Sequence, residues 1–92
     1  MAHVSFTRNI QRHVNCPPLE AGGKTVSEVL AKVFQQNPQA ESYVVDERGS
    51  LRKHMVIFVD GDKVMDRETL SDEVKPESEI HIFQALSGGV NA

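Results

Sequence analysis

The sequence predicts an α+β roll: one main helix laid across one face of a mixed sheet of about four to five strands. Three observations predict it. The stretch "TVSEVLAKVFQQNP" carries one apolar stripe at helical spacing. Segments near both ends and in the middle alternate, or run apolar, as strands do. Finally, 92 residues, 39% of them hydrophobic, supply one small core, so helix and strands must share it.

Each element has its own signal. "HVSFTRNIQRHVN" alternates, with Val4 and Phe6 on one side and Ser5 and Thr7 on the other, as a half-buried strand does. A second strand is expected over residues 10–16, after a turn near Arg8-Asn9. Pro17-Pro18 stops regular pairing, because proline brings no N–H to a ladder, and "EAGGK" follows as a flexible loop. In the helix, Val26, Val29, Leu30, Val33 and Phe34 fall at i, i+3, i+4, i+7 and i+8. Thr25 supplies an N-cap, Glu28 completes a capping box, and Asn37-Pro38 ends the helix.

Residues 39–53 are less regular; residues 42–46 suit a short strand or turn, and Asp46-Glu47-Arg48-Gly49 an exposed loop. "MVIFV" reads as a strand buried on both faces, and Asp60-Gly61 as a tight turn opening a return strand at Lys63-Val64. "RETLSDEVKPESE" reads as a turn of helix plus loop, anchored by Leu70 and Val74 and ended by Pro76. Residues 79–86 form the last strand, with Ile80 and Ile82 on one face and His81, Phe83 and Ala85 on the other. Period 2 fixes this alternation but not which face is inside. The domain is expected over residues 1–86, with residues 87–92 as a flexible tail.

Composition excludes several classes. The formal net charge is -3, from 13 acidic and 10 basic residues, which argues against nucleic acid as the main partner. No apolar run approaches the roughly 20 residues needed to cross a bilayer, so no membrane partner is expected. "MAHVSFTRN" is too polar for a signal peptide. Cys16 is the only cysteine, so there is no disulfide framework, and a cytoplasmic protein is expected. His3, His13, His54 and His81 lack the short spacing of a zinc site, and no metal is expected. Nothing near Cys16 in sequence would lower its pKa. Gly22-Gly23-Lys24 lacks the first part of a phosphate-binding loop. "DEVKPESE" and the cluster Arg48, Arg52 and Lys53 read as solvated surface charge.

Asp60-Gly61 after "MVIFV", together with the ending "EIHIFQALSGG", resembles the MoaD/ThiS family of bacterial and archaeal sulfur-carrier proteins. The resemblance covers residues 4–89 and implies the β-grasp, ubiquitin-like fold. It also implies a chemistry. A carboxylate is a poor electrophile, so in this family it is activated as an acyl-adenylate made from ATP, and sulfur then displaces AMP to leave a thiocarboxylate. The chemical site would be Gly89. The carrier itself would be no enzyme and hold no cofactor; ATP would be used by an E1-like (ThiF/MoeB-type) activating enzyme. Leu86, Ser87 and Gly88 would thread that partner's channel, glycine accepting backbone angles that other residues resist. Four extended residues reach on the order of 13 Å.

Family members with residues beyond Gly-Gly are cut by a JAMM-type metallopeptidase. Here the cleavage site would be Gly89-Val90, with Val90-Asn91-Ala92 as a removable cap in which Val90 is β-branched and stiff. Sulfur would come from a sulfurtransferase or a sulfide source. It would pass to an acceptor enzyme making cysteine, homocysteine, methionine or another sulfur metabolite. The retained tail resembles these carriers more than the molybdenum-cofactor small subunit. Phe83 and Leu86, with a neighbour such as Val64 or Met65, would form an apolar patch that docks on the activating enzyme. The alternatives are a protein modifier conjugated through Gly89, a small subunit of a molybdopterin-synthase-like enzyme, and an interaction module whose tail is irrelevant.

Overall fold

The computed structural model describes residues 1–12 and 17–84. At its centre β1 (Ala2–Phe6) and β5 (Glu79–Gln84) lie parallel. β3 (Met55–Val59) pairs antiparallel with the other edge of β5, and β2 (Leu19–Ala21) pairs antiparallel with β1. β4 (Asp62–Lys63) folds back on β3, giving a five-stranded mixed sheet in the order β2-β1-β5-β3-β4.

The register decides what is inside. Ile82 stands between Phe6 and Ile57, and Ile80 beside Val4. All five are buried, and alternation along the strands keeps them on one face. The helix α2 (Val26–Gln36) adds Val26, Val29, Leu30 and Val33 to the same core. Fully burying each such aliphatic side chain is worth about 1.5–3 kcal/mol. Ile80 and Ile82 therefore face inward, and Phe83 faces away from the core.

Local chemistry explains where α2 starts and stops. The Glu28 N–H donates to Thr25 Oγ1 at 3.2 Å, and Glu28 Oε1 accepts from the Lys24 N–H at 2.9 Å. The expected capping box forms, with its return bond taken one residue earlier. The N–H groups of Val26 and Ser27 donate to the carbonyls of Asp72 and Leu70, at 3.0 and 2.9 Å, so two of the orphan donors of the first turn are satisfied by a distant loop. At Gly23 a Cβ would stand 2.9 Å from Glu28 Cβ and from the Val29 nitrogen, so only glycine lets this loop approach α2 so closely.

Several expectations are corrected. In place of a strand over residues 10–16 after a turn at Arg8-Asn9, the chain makes a one-turn helix, α1 (Arg8–Gln11). The helix lets Ile10 drop fully into the core while Gln11 Nε2 donates to the Phe6 carbonyl at 2.9 Å. The second strand is β2, directly after Pro17-Pro18; as an edge strand it tolerates the prolines before it. Residues 13–16 lie outside the described residues. Asn37-Pro38 ends α2 as expected, but Pro38 opens another helix, α3 (Pro38–Val44), in place of a strand or turn at residues 42–46. Proline at the first helical position gives up only an N–H that would be orphaned anyway. Ala40 and Val44, one turn apart, fix α3 to the core.

"MVIFV" is buried on one face only: Met55 and Ile57 are buried, while Val56 and Phe58 are half-buried. Asp60 (φ 52°) and Gly61 (φ 89°) form the expected two-residue turn, both with positive φ. Residues 67–69 make a single turn, closed by the Leu70 N–H donating to the Asp66 carbonyl at 3.1 Å and not continued as a helix; a loop follows, and Leu70 and Val74 anchor the segment as expected.

Candidate functional site

The side of β5 away from α2 is an open sheet face. Val56 pairs with Phe83 and Phe58 with His81, so these four side chains share it. The Phe58 and Phe83 rings meet edge to face at 5.4 Å between centroids, and His81 stacks its edge toward Phe83 at 6.3 Å. Phe83 is still 41% exposed, unusual for a phenylalanine at the end of a central strand. Toward β1 the face turns polar. Ser5 Oγ lies 2.7 Å from His81 Nδ1, His3 Nδ1 lies 3.3 Å from a Glu20 carboxylate oxygen, and His81 Nε2 lies 3.6 Å from Glu79.

Of the expected docking residues, Phe83 is on this face. Val64 is not available for docking: at 5% exposure it belongs to the core, because after two residues of β4 the chain turns inward. Met65, its neighbour, is 88% exposed. Leu86 lies outside the described residues, as do Ser87, Gly88, Gly89 and Val90 of the expected tail and cleavage site, and Asn91 and Ala92. Val56 and Phe58 were not expected here. The signal that could have found them is the Asp60-Gly61 turn, which fixes how β3 faces its neighbours.

The end of β5 is held from the inner side too. Gln84 is in phase with Ile80 and Ile82, and its Oε1 accepts from the Tyr43 hydroxyl of α3 at 2.9 Å. At the other end of β5, Asp60 Oδ2 accepts from Ser78 Oγ at 2.7 Å and Oδ1 from the Glu79 N–H at 2.9 Å. These bonds, the backbone one foremost, hold the Asp60 carboxyl below the usual carboxylate range.

A second carboxylate organises the loop at residues 66–72. Asp66 accepts from the hydroxyls of Ser71 and Thr69 and from the N–H groups of Glu68, Thr69 and Ser71. The Ser71 and Thr69 hydroxyls, followed by the Thr69 N–H, hold Asp66 well below the usual range. An unfolded aspartate titrates near 3.9, above the folded value, so this contribution is complete above that pH and is lost as pH falls through the folded one. Urea midpoints are therefore expected to drop on acidification below about pH 4, and Asp66→Asn to flatten the drop. A variant profile parallel to the wild type would contradict this.

Among the described residues no group of three or more His, Cys, Asp and Glu side chains is placed to hold a metal ion. His54 is exposed, and His13 and Cys16 lie outside the described residues. Among the described residues, no helix is long and apolar enough to cross a membrane.

A mixed sheet with a central parallel pair, one main helix across its inner face and an aromatic patch on its outer face defines a ubiquitin-like, β-grasp protein. The ThiS family model matches residues 11–89, and the chain belongs to that family of ThiS/MoaD-type sulfur-carrier proteins. Comparison with curated proteins finds no significant sequence match. Among solved structures, a chain of the Amycolatopsis orientalis BexX/CysO complex is 26% identical, with a TM-score of 0.82 over 97% of this chain and 100% of that one. Small archaeal modifier protein 1 from Methanosarcina acetivorans is 23% identical (TM-score 0.77, 96% of this chain and 95% of that one). Mycobacterium tuberculosis CysO is 18% identical (TM-score 0.79, 94% and 100%). The last two show the shared fold. Like the small carriers of its family, the chain is not itself a catalyst.

Proposed function

We propose that this chain is a sulfur carrier whose working terminus is Gly89. The observation that carries the reading is the extent of the family match, which runs through Gly89, five residues beyond the last described strand residue, Gln84. Once Gly89 is terminal, its carboxylate attacks the α-phosphate of ATP on an E1-like enzyme and releases pyrophosphate. Sulfide then displaces AMP, leaving a thiocarboxylate; where the nucleophile is a sulfurtransferase persulfide, AMP leaves to give an acyl disulfide, which a thiol cleaves to release the thiocarboxylate and a disulfide. The acceptor is an enzyme of cysteine, homocysteine, methionine or related sulfur-metabolite synthesis. Residues beyond Gly89 must first be removed, by a JAMM-type metallopeptidase that cuts before Val90. The 26% identical chain was solved in a BexX/CysO complex, which supports a role that involves docking on a partner protein.

The outer sheet face suits that docking. Phe83 and Phe58 offer exposed aromatic area beside the strand end that leads to the tail. Phe83→Ala is expected to cost only about 1 kcal/mol of stability, since the ring is partly exposed. It is expected to weaken binding to the activating enzyme by roughly tenfold or more. Calorimetric titration of the wild type and Phe83→Ala against that enzyme reads this directly; equal affinities would remove Phe83 from the interface.

The function itself is tested by incubating the chain ended at Gly89 with ATP, sulfide and the E1-like enzyme of the same cells. The expected product is a thiocarboxylate at Gly89. Attachment of Gly89 to lysines of other proteins, with no thiocarboxylate, would assign the chain to protein modification instead.

A further inference from the structure

Gln84 is an anomaly of pattern. Strand period 2 turns it to the same face as Ile80 and Ile82, where an amide without a partner is costly. Tyr43 resolves this. Its ring packs against the core from α3, and its hydroxyl donates to Gln84 Oε1 at 2.9 Å across 41 residues of sequence. On the same strand end the backbone of Gln84 pairs with Met55, and the preceding residue, Phe83, is braced by Phe58 on the outer face. The strand end is thus gripped on both sides, and Gly89 follows only five residues later.

We infer that Tyr43 is a positioning residue: by holding Gln84 it fixes the point from which the tail leaves the domain, and so the reach of Gly89 into the activating enzyme. The inference rests on the carrier reading. A terminus delivered from a fixed root samples fewer positions than one delivered from a frayed strand end. Loss of the root should therefore weaken productive binding and leave the chemistry of a seated terminus alone.

The test uses the chain ended at Gly89 and ATP–pyrophosphate exchange on its activating enzyme. Tyr43→Phe keeps the packing and removes the hydroxyl. It is expected to raise KM for the carrier about three- to tenfold, the worth of one hydrogen bond, with kcat unchanged. Gln84→Met should raise KM to the same degree, the double variant should add nothing further, and Gln84→Glu, which keeps an acceptor oxygen, should stay near wild type. Faster amide exchange at Gln84 in Tyr43→Phe should accompany the change. A lowered melting temperature with KM unchanged would make the bond merely structural and overturn the inference. No exchange from the wild-type chain would remove the carrier reading, and the inference with it; wild-type exchange with an unaltered Tyr43→Phe removes the inference alone.

Discussion

The chain ended at Gly89 is expected to undergo ATP–pyrophosphate exchange at least about 100-fold faster than the chain that continues through Val90-Asn91-Ala92. The reason is geometric. Adenylation needs the carboxylate oxygen within roughly 3–3.5 Å of its reaction partner, and a misplacement of about 1 Å can cost 100-fold. Three further residues move the terminal carboxylate by up to about 10 Å. Val90 is stiff at its side chain and Asn91 is bulky, so neither follows a glycine path through a narrow channel. The two forms share every described residue and should melt together. Exchange at equal rates would show that Gly89 is not the working terminus.

The second large effect is on stability. Ile82→Ala is expected to cost about 2–5 kcal/mol, the range for a fully buried isoleucine that leaves a cavity behind. Ile82 is 0% exposed and stands between Phe6 and Ile57, joining β1, β5 and β3 at the middle of the sheet. A domain of this size has about 5–15 kcal/mol in all, so the variant loses a large share and its melting temperature should fall by roughly 15–30 °C. Phe83→Ala, one residue away on the other face, is the internal comparison: a small loss there and a large one at Ile82 is the expected pair. Equal losses in denaturant titrations would contradict the assignment of faces.

Sequence patterns made some of this legible for physical reasons. α2 repeats its apolar positions over three turns and carries its own cap, so local residues are enough to define it. The Asp60-Gly61 turn is equally local, because both residues must adopt positive φ. α1 and α3 are another matter. One buried residue, Ile10, and two, Ala40 and Val44, make stripes too short to tell from strand or loop. The loop at residues 66–72 hides its order in side-chain bonds to Asp66, whose only local trace is an aspartate three residues before Thr69.

The site divides in the same way. The alternation of residues 79–84 is readable, but which face is buried depends on where α2 lands. Val64 reads as a patch neighbour because the return strand is expected to include it; β4 ends at Lys63, and Val64 turns into the core. The Tyr43–Gln84 bond joins positions far apart in the chain, beyond the reach of any periodicity.

Whether Gly89 is the working terminus is read from the intact mass of this protein isolated from its own cells under sulfur-limited growth. A species ending at Gly89 is expected, accompanied by one with a single oxygen exchanged for sulfur. A population that retains Val90 under all conditions, with no sulfur-exchanged form, would contradict this.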